Sequence, residues 1–143
     1  MKHKNRRYIS LLVAVIIICA TATTVLAAPI ETRFNNTLSA SSSATISSSG
    51  LLTITNQFRG YKGKTTSGEI TTYIEKKSGS TWTRVNIGQP NNQWYDVVTG
   101  YMYAGSHSFQ LSSHGTYRIT VTFVIYGSGG TPDVITRTVT KTY

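Results

Sequence analysis

The chain has 143 residues, with 14 Lys and Arg against 5 Asp and Glu, 3 His and a single Cys. Its formal charge of +9 favours anionic partners through long-range attraction. It does not indicate a nucleic-acid-binding protein, because nowhere do more than two basic residues stand side by side. The single Cys excludes a disulfide framework, and so few acids leave little material for carboxylate catalysis.

Residues 1–27 have the three-part plan of a secretory signal peptide. A basic segment, "MKHKNRR", precedes an apolar run from Ile9 to Cys19, and small residues then lead to Val25-Leu26-Ala27. The side chains of Val25 and Ala27 fit the peptidase and predict cleavage after Ala27. The alternative is an uncleaved N-terminal anchor, since the run from Ile9 to Ala27 is about long enough to span a bilayer.

Removal of this leader takes away four basic residues and the only Cys, and it lowers the formal charge from +9 to +5. Roughly a hundred residues remain, which is the size of one domain that is stabilised by its own core. A small exported domain without disulfides is more typical of bacteria than of eukaryotes. We therefore expect a secreted protein that is not stably inserted into a membrane after cleavage.

Residues 28–42, "APIETRFNNTLSASS", contain few large apolar groups, so we expect an extended or disordered lead-in. Across residues 43–143, short runs of Thr, Ile, Val and Tyr alternate with Gly, Ser and Asn, and no window has helical spacing. The predicted strands lie in "SATISSS", "LLTITNQF", "EITTYIEKK", "TWTRVNI", "QWYDVVTGYMY", "HSFQLSS", "TYRITVTFVIYG" and "VITRTVTKTY". Seven or eight short strands at even spacing predict an all-β fold, either an antiparallel β-sandwich or a small barrel.

The most regular stretch is "GTYRITVTFVIYGSGG", in which apolar side chains take every second position from Tyr117 to Ile125. Such alternation predicts a long strand with one buried face. The glycines that follow, Gly127, Gly129 and Gly130, are predicted to supply positive φ angles in a tight turn.

Tyr117 stands six residues after Leu111, with a Gly in the turn between them. This resembles the tyrosine corner of immunoglobulin-like sandwiches, where a Tyr near the start of the sixth strand binds a backbone group a few residues upstream. Ile119 stands where antibody-type domains have a Cys, so the resemblance implies a sandwich without that disulfide. With its leader, the chain also resembles small exported β-sandwich proteins of Gram-positive bacteria of uncharacterised function, which implies a fold and a compartment but no activity.

Catalytic and metal-binding patterns are weak, and we predict no enzymatic activity, no metal and no cofactor. His107 and His114 are expected in the turns at the two ends of "SFQLSS", too far apart to share one ion. Asp133 follows Pro132, which favours a turn residue with a local backbone hydrogen bond. "YGSGG" lacks the G-x-S-x-G spacing of a nucleophile elbow.

The aromatic residues of "QWYDVVTGYMYAG" are better candidates for binding. Two-residue alternation turns Trp94 and Tyr95 to opposite faces, so at least one of them is expected on a sheet surface. Exposed aromatic strips stack on sugar rings or hold partner proteins, whereas the alternative is that these rings pack the core. The predicted ligand site consists of Trp94, Tyr101 and Tyr103, with Lys62 and Lys64 of "YKGKT" as charge contacts.

The leading hypothesis is a secreted, non-catalytic protein that binds an anionic cell-wall polymer, a glycan or another surface protein. The alternative is a secreted toxin or bacteriocin-like effector, although no strongly amphipathic segment stands out. A third hypothesis is a hydrolase with an unrecognised site. A fourth is edge-to-edge pairing of Thr-rich strands such as "VITRTVTKTY", which Arg137 and Lys141 should discourage.

Overall fold

A computed structural model describes residues 34–143, so the predicted leader and residues 28–33 of the lead-in lie outside the described residues. The described chain forms eight strands in two antiparallel sheets, which confirms the predicted all-β sandwich. The strands are β1 (Thr37–Ile46), β2 (Leu51–Gly60), β3 (Thr65–Ser78), β4 (Thr81–Arg84), β5 (Trp94–Thr99), β6 (Met102–Gln110), β7 (Thr116–Gly127) and β8 (Asp133–Thr142). One turn of 3-10 helix, Pro90–Asn92, precedes β5.

The three-stranded sheet has the order β1-β2-β6, and the five-stranded sheet has the order β4-β3-β7-β8, with β5 also paired to β3. The first, second and sixth strands thus oppose the third, seventh and eighth, as strands A, B and E oppose C, F and G in immunoglobulin-like sandwiches. Between β5 and β6 the chain passes from one sheet to the other. Gly100 lies at this crossover with a φ of 117°, a conformation that glycine adopts readily.

The core is built mainly from the inward-facing residues of β2, β3 and β7, with smaller contributions from β1 and β8. The alternating side chains from Tyr117 to Ile125 are all buried, at 2% exposure or less. They pack against the buried face of the opposite sheet, which includes Leu52, Ile54 and Phe58. Because successive side chains of a strand point to opposite faces, the two-residue pattern was enough to predict this core.

Tyr117 closes one end of the core. Its ring is 2% exposed, and its hydroxyl donates a hydrogen bond of 2.6 Å to the carbonyl oxygen of Ser113, four residues upstream. The contact has the geometry of a tyrosine corner and ties the turn before β7 to the strand itself.

We expect Tyr117→Phe to lower the free energy of unfolding by about 1 kcal/mol, since the Ser113 carbonyl lies near the surface and regains water when it loses the phenol. Urea denaturation should show a lower midpoint at an unchanged m-value. Tyr61→Phe, at an exposed phenol in the β2–β3 turn, is the matched control and should leave the midpoint unchanged. Equal midpoints for the two variants would mean that the corner bond does not stabilise the fold.

The lead-in is shorter than predicted, because β1 begins at Thr37 rather than after residue 42. The residue that stabilises this earlier start of β1 lies far from it in the sequence. Asp133, buried at the start of β8, accepts hydrogen bonds from the backbone N–H groups of Asn35 (2.9 Å) and Asn36 (2.7 Å) and from Thr37 Oγ1 (2.9 Å). The predicted role of Asp133 as a turn residue with a local bond is therefore wrong. Its carboxylate ties the start of the first strand to the start of the last.

The glycines after β7 also differ from the prediction. Of the three, only Gly130 has a positive φ, at 106°. Gly127 and Gly129 instead make room for the buried amide of Asn36, since a Cβ atom at either position would lie 2.6 or 2.5 Å from Asn36 Oδ1. The Gly129 N–H donates to that oxygen at 3.0 Å, and Asn36 Nδ2 donates to the Thr131 carbonyl at 3.2 Å.

Candidate functional site

Two residues of the predicted ligand site, Trp94 and Tyr103, face the space between the sheets. The Trp94 ring lies on β5 and stacks on His107 of β6, with 4.9 Å between ring centroids. The Tyr103 ring stacks on Phe58 at 6.1 Å, and both Trp94 and Tyr103 pack against the core. The outward-facing member of the Trp94–Tyr95 pair is Tyr95, which is 55% exposed.

A polar cluster accompanies these rings and bridges β5 and β6. Asp96 Oδ2 accepts a hydrogen bond from the Tyr103 hydroxyl at 3.0 Å and lies 2.7 Å from His107 Nε2. His107 is a half-buried residue within β6, and not in a turn as predicted. Burial, together with the hydrogen bond to Asp96, raises the pKa of Tyr103 to about 12, so this phenol remains a donor at physiological pH.

Gly105 shapes the same cluster, because a Cβ atom there would collide with the Tyr103 hydroxyl. Alternation along β6 places Tyr103, Gly105 and His107 on one face, but it does not reveal that Asp96 lies opposite them. Within residues 34–143, no group of three or more His, Cys, Asp and Glu side chains is placed to hold a metal ion.

The other three predicted ligand residues lie in two neighbouring connections, the β2–β3 turn and the β5–β6 crossover. Lys62 and Lys64 lie in the β2–β3 turn, and the Lys64 ammonium lies 5.6 Å from the centroid of the Tyr61 ring. The Gly60 N–H donates to the Tyr101 carbonyl at 2.7 Å, which holds this turn beside the β5–β6 crossover. The turn that carries the two lysines thus begins next to Tyr101, while Trp94 and Tyr103 pack against the core.

The outer face of the five-stranded sheet carries a further set of aromatic and basic groups. The guanidinium carbon of Arg84 lies 3.4 Å from the centroid of the Tyr73 ring, and that of Arg118 lies 4.5 Å from the centroid of the Trp82 ring. In the strand register Glu75 stands opposite both arginines, and it accepts a 2.8 Å hydrogen bond from Arg118 Nε. We call these five residues the arginine–aromatic corner.

The corner holds its guanidinium groups over aromatic rings, which restricts their motion before any ligand binds. Arg118 is engaged with Glu75. Arg84 is exposed and makes no hydrogen bond or ion pair with any other residue of the described range. Its planar fork of N–H donors therefore remains available for a carboxylate, sulfate or phosphate group.

Farther along the same face, Tyr95 and Tyr126 lie on the strands that flank Glu69 in β3. Hydrogen bonding to Glu69 raises the pKa of both phenols. Val97 and Val134 are 65% and 62% exposed on this part of the sheet. Tyr95 thus offers an exposed ring next to an apolar surface, which suits stacking on a sugar.

Sequence reasoning missed the arginine–aromatic corner, although part of its signal was present. The alternation in "TWTRVNI" already places Trp82 and Arg84 on one face of β4. The turn "SGS" predicts the hairpin that brings them beside β3, and hence beside Tyr73 and Glu75. Only the contribution of Arg118 requires knowledge of which strand pairs with the other edge of β3.

Charge is distributed unevenly over the described residues, because most acids are paired within the domain and most bases have no acidic partner. Asp133 accepts from backbone N–H groups, Asp96 from Tyr103, and Glu75 from Arg118, so three of the four acids of residues 34–143 have hydrogen-bond partners. The ion pair found within residues 34–143 is Arg118–Glu75, and His107 Nε2 lies 2.7 Å from Asp96 Oδ2. The bases without an acidic partner in this range are Arg59, Lys62, Lys64, Lys76, Lys77, Arg84, Arg137 and Lys141.

Comparison with models of known protein families, with curated proteins and with solved structures finds no match for this chain. Over the described part of the chain, no helix has the length and apolar character that a membrane crossing requires.

Proposed function

We propose that the chain is an exported, non-catalytic protein that binds an anionic polymer or glycan of the cell envelope. The observation that carries this proposal is the uneven charge distribution within residues 34–143: three of the four acids bind partners within the domain, and most bases face solvent. The signal-peptide pattern of residues 1–27 supports export.

The outer face of the five-stranded sheet suits a polymer better than a compact small molecule. From Ser67 to Glu75, β3 runs for about 26 Å, at roughly 3.3 Å per residue. Along this length the face offers Tyr126 opposite Ser67, the exposed ring of Tyr95 opposite Thr71, and the arginine–aromatic corner around Glu75. A chain of acidic sugars could stack on the Tyr95 ring while its carboxylates or phosphates bind the guanidinium fork of Arg84.

The test compares two variants that remove the same charge at different places. Arg84→Gln with Arg118→Gln removes two charges from the corner, and Lys62→Gln with Lys64→Gln removes two from the β2–β3 turn. We expect the first pair to weaken binding to polygalacturonate or poly(glycerol phosphate) by about tenfold or more, since a hydrogen bond to a charged group contributes about 1.5–3 kcal/mol. The second pair should weaken binding only modestly. Biolayer interferometry at several salt concentrations measures both.

Each outcome of this comparison has a definite meaning. Equal losses for the two variants would show that affinity follows net charge and not the corner. Absence of salt-sensitive binding to either polymer by the parent protein would refute the proposed function. Release of dye from anionic vesicles would support the effector hypothesis in its place.

A further inference from the structure

Strand β6 forms one edge of the three-stranded sheet, and one side of its backbone has no partner within the described residues. The Gly60 N–H donates to the Tyr101 carbonyl, and the Leu111 N–H donates to the Gly50 carbonyl, on the side that faces β2. Because backbone groups alternate in direction along a strand, the odd-numbered residues of β6 pair with β2. The even-numbered residues direct their N–H and C=O groups outward; they are Met102, Ala104, Ser106, Ser108 and Gln110.

The other edges of the sandwich are protected in ways that discourage pairing. On β1, the outward carbonyl of Ala40 accepts a 3.0 Å hydrogen bond from Arg137 Nε of β8. β8 itself carries Arg137 and Lys141. β4 is only four residues long and carries Arg84, and β5 is only six residues long and contains Asp96. β6 has nine residues, with no Lys, Arg, Asp or Glu, no proline, and no bulge in its register with β2.

We propose that β6 pairs with β6 of a second copy of this chain, antiparallel across a two-fold axis, to form a continuous six-stranded sheet. Charge favours a second copy at this edge over any other edge. Two cationic molecules repel each other, but residues 97–117 contain no Lys, Arg, Asp or Glu, so the copies meet without apposed charges. This inference is independent of the proposed function.

Overlap of the strand along its whole length places Ser106 on the two-fold axis. Ala104 then lies opposite Ser108 of the other copy, and Met102 lies opposite Gln110. These side chains point outward, on the polar face of the sheet, where Ser106 and Ser108 already contact Thr55 and Thr53 through their hydroxyls. Side chains of this size leave room for a neighbouring strand at hydrogen-bonding distance.

The register allows a test with matched variants. Ala104→Lys with Ser108→Lys places lysine opposite lysine in the dimer, whereas Ala104→Lys with Ser108→Glu places lysine opposite glutamate. Within one chain the two positions are about 13 Å apart, so the variants differ little as monomers. We expect the parent and the Lys/Glu variant to form dimers, and the Lys/Lys variant to dissociate at least tenfold more readily in sedimentation equilibrium.

Amide hydrogen exchange identifies the paired edge. In the dimer, the outward amides of Ser106 and Ser108 should exchange slowly, and in the Lys/Lys variant they should exchange fast. A parent protein that remains monomeric up to about 1 mM would overturn the proposal. So would dimers of the Lys/Lys variant as stable as those of the parent, or a parent dimer in which these two amides still exchange fast. Polymer binding by a monomeric protein would leave the proposed function standing.

Discussion

Asp133→Ala is expected to lower the free energy of unfolding by about 3 kcal/mol, because it leaves the buried N–H of Asn36, the part-buried N–H of Asn35 and the buried Thr37 hydroxyl without an acceptor. The carboxylate is 8% exposed, so water cannot readily replace it. Urea denaturation followed by tryptophan fluorescence should show the loss as a lower midpoint. Such a loss is a large share of the stability of a domain of this size.

Two further variants separate the loss of a negative charge from the loss of the hydrogen bonds that Asp133 accepts at the start of β1. Glu69→Ala removes a carboxylate from the outer face of the sheet and should change stability by no more than about 0.5 kcal/mol. Thr37→Val removes one of the three donors and should cost about 1 kcal/mol. If Asp133→Ala and Glu69→Ala unfolded at the same urea concentration, the hydrogen bonds that Asp133 accepts would not stabilise the contact between β1 and β8.

The contrast between Asp133 and the β7 core shows where sequence information is local and where it is not. The buried ladder from Tyr117 to Ile125 follows from alternation within one strand, so it could be predicted without knowing the sheet order. The start of β1 could not be predicted in this way, because the carboxylate that stabilises it lies 96 positions after Thr37. A Pro-Asp pair at the start of a strand reads the same in the sequence whether the Asp bonds its neighbours in a turn or a distant strand.

The predicted ligand site likewise combines a local pattern, which the sequence shows, with contacts between strands, which it does not show. Alternation in β5 requires that Trp94 and Tyr95 face opposite ways, but it does not determine which one faces inward. That choice depends on β6 lying opposite, where His107 stacks on the Trp94 ring and bonds Asp96. The pairing of partners from two sheets cannot be inferred from the period of either strand alone.

Polar contacts between the sheets also lie deep in the core. Asn56 of β2 is fully buried; its Nδ2 donates to Thr72 Oγ1 of β3 at 2.8 Å, and its Oδ1 accepts from Ser42 Oγ at 2.8 Å. Thr72 is fully buried as well. This bond joins the two sheets within an otherwise apolar layer. It therefore fixes the position of one sheet relative to the other at this point. A sheet displaced by two residues would leave both groups unpaired.

Asn56→Leu should therefore lower the free energy of unfolding by about 2–3 kcal/mol, because the Thr72 hydroxyl loses its partner in the core. Thr72→Val should cost about 2 kcal/mol, because the Asn56 amide becomes unpaired. The double variant removes both polar groups and should recover most of the loss, with a coupling energy between the two sites of about 2–3 kcal/mol. Urea denaturation of the four proteins of this cycle measures that energy. Strict additivity of the two single losses would mean that the bond between Asn56 and Thr72 does not couple the sheets.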